Sequence, residues 1–235
     1  MKKKNIEFKI GKDVLRGSLF IPDGKGPFPG VIFYHGRYSS RIRYLNMAEP
    51  LAKKGLVTLA FDFRGCGESD GLRSEQTLEK GIEDGKSALE FLLTQNVHKD
   101  RIGIQGNSFG GFVTGNILKN FNQIKSVVLR APAAYGKRYM TSMTLTPDKF
   151  FSKKENWFDS PSYEGIRGFK GELLVLESAN DELLPKELVQ RYYKEAINAK
   201  KRKLIIIKGV GHKIAEPKGA EIFYKQVIDW FLKTL

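Results

Sequence analysis

A serine stands between glycines two positions to either side in Gly106-Asn107-Ser108-Phe109-Gly110-Gly111. The apolar run Ile102-Gly103-Ile104 precedes it, and Val113, Ile117 and Leu118 follow at helical spacing, so the local order is strand, tight turn, helix. A serine at the tip of such a turn stands on strained backbone that neighbouring strands crowd, and glycine at the flanking positions leaves room for them. The chemistry this invites is nucleophilic acyl transfer, in which the hydroxyl attacks a carbonyl while a base takes its proton. With 24 glycines in 235 residues the five-residue pattern is weak alone, and its place at a strand-to-helix junction carries the inference.

The base for such a reaction is usually a histidine, and the chain has three. His98 precedes a strand at its amino end and reads as a surface residue, whereas His35 and His212 each follow a strand, at the opposite edge. No His-Glu-x-x-His or Cys-x-x-Cys spacing occurs, so a metal-free reaction is expected. Gly65-Cys66-Gly67 starts like a dinucleotide fingerprint, but Asp70 stands where its third glycine belongs, and no cofactor is expected. Asp62 and Arg64 read as structural: the Gly-rich turn is held by side-chain hydrogen bonds, with Arg64 paired to a nearby carboxylate.

The elements that must position these residues follow from apolar periodicity. Residues Ile6 to Ile21 alternate around Gly11-Lys12-Asp13, which predicts an antiparallel hairpin. Continuous apolar runs at 31–34, 56–61, 102–104, 127–129, 173–176 and 204–207 suit strands buried on both faces. Between them lie helical patterns, such as Leu78, Ile82, Leu89 and Leu92, and Ile222, Phe223, Val227, Trp230 and Phe231. The alternation predicts an α/β fold with a mostly parallel sheet, helices on both faces and the hairpin at its start. One domain over 1–235 is expected, with an insertion at about 133–170 that has aromatics, Gly and Pro but no clear period. Such an insertion after the 127–129 strand would overhang the carboxyl edge as a lid, or else pack Trp157, Phe158 and Phe169 into the core.

Composition narrows the classes. Hydrophobic residues at 41% can build a core, which excludes a disordered chain. The lone Cys66 excludes a disulfide-stapled scaffold, and no apolar stretch approaches the roughly 20 residues of a membrane span. Charges follow the basic N-terminus where a signal peptide would be apolar, so a cytoplasmic protein is expected. A net charge of +14 favours acidic partners, yet the basic runs 2–4 and 200–203 carry no interleaved aromatics, and no specific nucleic-acid partner is expected.

Taken together, the chain resembles the α/β-hydrolase superfamily of serine hydrolases from about Val14 onward. The resemblance rests on the serine turn, on His35-Gly36-Arg37 after the first buried strand, on Asp62-Phe63-Arg64-Gly65-Cys66-Gly67-Glu68-Ser69 after the second, and on Gly211-His212 after the last. It implies Ser108 as nucleophile, His212 as base in the chain order serine, acid, histidine, and His35 as a shaper of the oxyanion turn. It places the acid in Ser178-Ala179-Asn180-Asp181-Glu182-Leu183-Leu184-Pro185, where Asp181 is preferred, with Glu182 and then Glu177 as alternatives; Asp181 could instead simply cap the helix near Pro185. The backbone N–H groups of Phe109 and Arg37 would hold the oxyanion.

The small aromatic insertion is similar to those of short-chain and cinnamoyl or feruloyl esterases, which implies a small-molecule carboxylic ester as substrate. Tyr135, Tyr139, Met143 and Trp157 are the candidate substrate contacts. The insertion is also basic, and with Arg37, Arg41 and Arg43 it suggests a negatively charged substrate. The same residues would serve a thioesterase, an amidase or peptidase, or a non-catalytic ligand binder of the fold.

Overall fold

The computed structural model describes residues 1–142, 149–214 and 217–235. Eight strands form one sheet in the order β1-β2-β4-β3-β5-β6-β7-β8. They span Lys2–Ile10 (β1), Asp13–Ile21 (β2), Phe28–Tyr34 (β3), Val57–Phe61 (β4), Val97–Asn107 (β5), Ile124–Arg130 (β6), Glu172–Ser178 (β7) and Lys201–Ile207 (β8). The first two pair antiparallel, β2 runs antiparallel to β4, and all later pairings are parallel. The expected hairpin is thus present, turning at Gly11-Lys12 with Gly11 at φ +57°.

The hairpin begins earlier than the alternation suggested, because Lys2, Lys3 and Lys4 pair with Ile21, Phe20 and Leu19. Lysines on that outermost strand keep the open edge of the sheet wet and discourage pairing with another chain. In β3 and β5 the apolar run marks the buried, carboxyl-terminal part of a longer strand. In β5 the residues from His98 to Arg101 are exposed, and continuous burial starts at Ile102. The other sheet edge corrects the expectation that every such run is buried on both faces: β8 has no neighbour beyond it, and its Ile206 is 51% exposed.

Helices Leu45–Lys53 (α1), Leu78–Leu93 (α2), Phe109–Ile117 (α3), Ser162–Gly168 (α4), Lys186–Glu195 (α5) and Pro217–Thr234 (α6) cover the two faces. Strand side chains alternate between them. Ile32, Tyr34, Val127 and Leu129 pack with α2 through α5, while Val31, Phe33, Val128 and Leu174 pack with α1 and α6. The small face of α2 brings α3 close: a Cβ on Gly81 would meet Phe109 Cζ at 2.2 Å, and one on Gly85 would meet Val113 Cγ1 at 2.5 Å. No helix among the described residues is long and apolar enough to cross a membrane.

Candidate active site

Ser108 joins β5 to α3 at φ +50° and ψ −112°, a conformation that non-glycine residues rarely adopt. Holding it costs on the order of 1–3 kcal/mol, so the surroundings must impose it. They do so by close packing. A Cβ on Gly106 would lie 2.4 Å from Thr114 Oγ1, and one on Gly110 would lie 2.0 Å from the Tyr34 carbonyl oxygen. The serine's own amide donates to the Arg130 carbonyl at 3.0 Å, and its carbonyl accepts from Gly111 and Ala133 N–H at 2.9 Å. Both flanking glycines are therefore needed for contact between chain segments.

The loops after β7 and β8 reach the same point. His212 Nε2 lies 3.1 Å from Ser108 Oγ, and its Nδ1 lies 2.9 Å and 3.1 Å from the two carboxylate oxygens of Asp181. The Asp181 side chain is only 4% exposed. Burial pushes its pKa up, but the bond and charge of His212 and the amides of Leu184 and Leu183 outweigh that and hold it below the usual carboxylate range. An ionised Asp181 assigns the ring proton to Nδ1 and leaves Nε2 to accept from the serine hydroxyl. Asp181 Oδ1 also accepts from Leu183 and Leu184 N–H at 3.0 and 2.8 Å, so local turn bonding and contact with the imidazole coexist. Helix α5 itself receives no side-chain cap.

The two alternative acids go elsewhere. Glu182 Oε2 accepts from the His212 backbone N–H at 2.9 Å, and the buried Glu177 accepts from Gln190 at 2.9 Å. His98 lies exposed on the amino-terminal part of β5. Asp62 accepts from the backbone N–H of Arg41 at 2.6 Å and of Glu68 at 3.1 Å and forms an ion pair with the Arg41 guanidinium. Arg64 bonds Asp84 at 2.6 Å.

Phe109 contributes the first amide of α3, directly after the serine, and helix-start amides have no partner within their helix. Arg37 follows Gly36, whose Cβ position would lie 3.5 Å from Ser108 Cβ. The turn after β3 and the start of α3 thus meet at Ser108. The turn that carries Arg37 is fixed by His35, which is fully buried. His35 Nδ1–H donates to the Gly36 carbonyl at 2.7 Å, and Nε2 accepts from Phe63 N–H at 3.1 Å.

The bond from Phe63 requires a neutral ring, because a protonated Nε2 has no lone pair to accept it. Burial pushes the His35 pKa down to about 4, against partial opposition from the Gly36 carbonyl and the Asp62 charge. An unfolded histidine takes its proton near pH 6.5, so the stability due to neutral His35 is complete above that pH and is lost as pH falls towards 4. At about 1.4 kcal/mol per unit, the loss is on the order of 3 kcal/mol. Urea midpoints measured from pH 7 to 4.5 should fall more steeply for the wild type than for His35→Gln. Parallel falls would show that His35 does not titrate this way.

Arg130 was not singled out from the sequence. It is 3% exposed at the carboxyl end of β6 and spans the site from below. Its Nη2 donates to the Gly211 carbonyl at 2.7 Å and to Ser178 Oγ at 2.8 Å; its Nη1 donates to the His212 carbonyl at 2.6 Å and to Asn107 Oδ1 at 3.3 Å. One guanidinium thus ties the histidine loop to the ends of β5 and β7. An arginine closing the apolar run Val127-Val128-Leu129 was the available signal. Arg130→Gln should lower kcat/KM of any reaction at Ser108 by about 100-fold through misplacement of His212. A change below about threefold would show that the loop holds its own geometry.

A cavity of about 230 Å³ opens at Ser108 and His212. Its walls come from the turns after β3 and β8 and from α6. Tyr135, Tyr139 and Trp157 are not among its lining residues and pack elsewhere. Tyr135 and Trp157 are each 2% exposed. Tyr135 packs edge-on against Phe112 and Phe151, Trp157 Nε1 donates to the Phe151 carbonyl at 3.0 Å, and Tyr139 donates to Asn156 Oδ1 at 2.6 Å. Burial of large aromatic area in the α2–α5 layer is the physical reason. Met143 lies outside the described residues.

The family model described as serine aminopeptidase, S33, matches residues 27–161. An uncharacterised protein of Mycobacterium tuberculosis is 28% identical over 206 residues, which are 84% of this chain and 68% of that one. Among solved structures, Est1E of Butyrivibrio proteoclasticus with ferulic acid bound superposes with a TM-score of 0.79 at 21% identity, covering 97% of this chain and 98% of that one. The Pyrococcus furiosus esterase Pf2001 superposes with a TM-score of 0.74 at 26% identity, covering 99% and 93%.

Proposed function

Because the chain belongs to the serine aminopeptidase, S33, family and has the α/β-hydrolase fold, we propose that this hydrolase cleaves carboxylic esters through an acyl-enzyme on Ser108. The observation that carries the reading is the His212 imidazole held between Ser108 Oγ at 3.1 Å and Asp181 at 2.9 Å. In this reading His212 takes the hydroxyl proton as Ser108 attacks the carbonyl, and Asp181 stabilises the imidazolium. The amides of Phe109 and Arg37 receive the negative charge that develops on the carbonyl oxygen. His212 then delivers its proton to the leaving alcohol, and a water activated by the same imidazole releases the acid.

Esters are preferred over amides because the superposed structures include esterases, one with ferulic acid bound. The 133–170 interval belongs to the same proposal as an insertion bordering the site, where the Arg37 guanidinium lies 5.7 Å from the Tyr135 ring. The test is hydrolysis of 4-nitrophenyl esters from acetate to palmitate by wild type and Ser108→Ala prepared in parallel. Turnover that depends on the serine supports the reading, and the best chain length sizes the site. Absence of ester turnover beside serine-dependent cleavage of an acyl thioester or a peptide amide would replace it.

A further inference from the structure

The cavity at Ser108 is cationic in a way that the rest of the site does not use. Arg37, Arg43, Arg130 and Lys213 line it, and no Asp or Glu is among its described lining residues. These charges come from separate stretches. Arg43 stands on the 3-10 turn Arg41–Tyr44, whose other arginine turns inward to Asp62. Lys213 directly follows His212, and Arg130 closes β6.

None of Arg43, Arg130 and Lys213 has a carboxylate within 4 Å among the described residues. For Arg130 this matters most, since it is buried and its four hydrogen bonds among the described residues go to neutral oxygens. Its Nε has no hydrogen-bond partner among the described residues. A buried guanidinium held by neutral groups keeps its field, and low-dielectric walls focus that field into the cavity. The nearest carboxylates are already engaged, Asp181 with the His212 ring and Glu182 with the His212 backbone. Tyr44, Phe223 and Tyr224 complete the wall with ring surface.

We propose that the substrate is an ester carrying a negative charge, a terminal carboxylate or phosphate, on the arm that enters this cavity. The proposal rests on the ester reading and adds a substrate class to it. Arg43 and Lys213 meet the charge at the mouth, and Arg130 supplies a fixed positive potential at the floor, beside the reacting carbonyl. The basic residues of the 133–170 interval, which the sequence pointed to, are not required.

The experiment compares two matched pairs. 4-Nitrophenyl hydrogen glutarate against 4-nitrophenyl butyrate places the charge on the acyl arm, and the butyrate ester of 4-hydroxybenzoate against phenyl butyrate places it on the leaving group. In at least one pair, kcat/KM for the anionic ester should exceed that for its neutral partner by about tenfold at low salt, and the ratio should shrink at about 0.5 M salt. Arg43→Gln combined with Lys213→Gln should cut that ratio by about fivefold. Ratios near one in both pairs, or a ratio that the double substitution leaves in place, would overturn the proposal. Turnover of the neutral esters in the same assay separates this failure from failure of the ester reading. Should no ester be cleaved, calorimetric binding of the same pairs to Ser108→Ala still decides: tighter binding of an anionic ester, weakened by the double substitution, supports the proposal, and equal or absent binding overturns it.

Discussion

Replacing Ser108 with alanine is expected to lower kcat for a 4-nitrophenyl ester by about 10⁶-fold, while leaving a folded protein with unchanged far-UV circular dichroism. The size of the effect follows from what the hydroxyl does. Without Oγ no acyl-enzyme forms, and what remains is attack by water on a carbonyl still held by the amides of Phe109 and Arg37. Alanine also suits the site sterically, because loss of one oxygen leaves the Cβ packing of the turn intact. A Ser108→Ala protein that keeps more than about a hundredth of the wild-type rate, with contamination excluded, would move the chemistry to another residue.

The second large effect is expected at Asp181. In Asp181→Asn the amide donates to Nδ1 where the carboxylate accepted, so the imidazole proton moves to Nε2 and the ring can no longer accept from Ser108. A fall in kcat of about 10⁴-fold follows, with geometry nearly unchanged. Glu182→Gln is the comparison, since its side chain accepts from the His212 backbone N–H and a glutamine oxygen can still accept that bond. Its effect should stay below about tenfold. Steady-state kinetics of the two variants side by side settle which neighbour matters, and the reverse order of effects would make Glu182 the orienting acid.

Much of this arrangement was legible in the chain because it is local. The strained turn at Ser108 needs glycines at fixed short distances, and Gly106 and Gly110 sit where a Cβ would collide with Thr114 and Tyr34. The parallel sheet was legible for a related reason: where the inner strands are buried on both faces they are near-continuously apolar, as at 31–34 and 57–61. Asp181, Glu182 and Glu177 could not be separated in the same way. They lie within six residues, and their different partners are set by how the loop turns after β7.

What was not legible depends on contacts between distant segments. Arg130 joins carbonyls 81 and 82 residues further along the chain, and nothing in the run around it announces those partners. The packing of Tyr135 and Trp157 was not legible for another reason. An apolar ring serves a core and a binding cleft equally well, and the absence of a period leaves no sign of which face is inward. Tyr135 and Trp157 went to the core, and the cavity took its wall from Tyr44, Phe223 and Tyr224. Of the basic residues that line the cavity, Arg37 and Arg43 were legible beside the first buried strand, whereas Arg130 and Lys213 come from distant segments.

The central claim is that His212 and Asp181 activate Ser108 as a nucleophile. It is tested most directly by exposing the wild type, Ser108→Ala and Asp181→Asn to a fluorophosphonate and measuring intact mass followed by peptide mapping. The account predicts one adduct on the wild type, located on Ser108, none on Ser108→Ala, and markedly slower labelling of Asp181→Asn. Labelling at another residue, or a wild type that hydrolyses esters yet takes no adduct at Ser108, would contradict it.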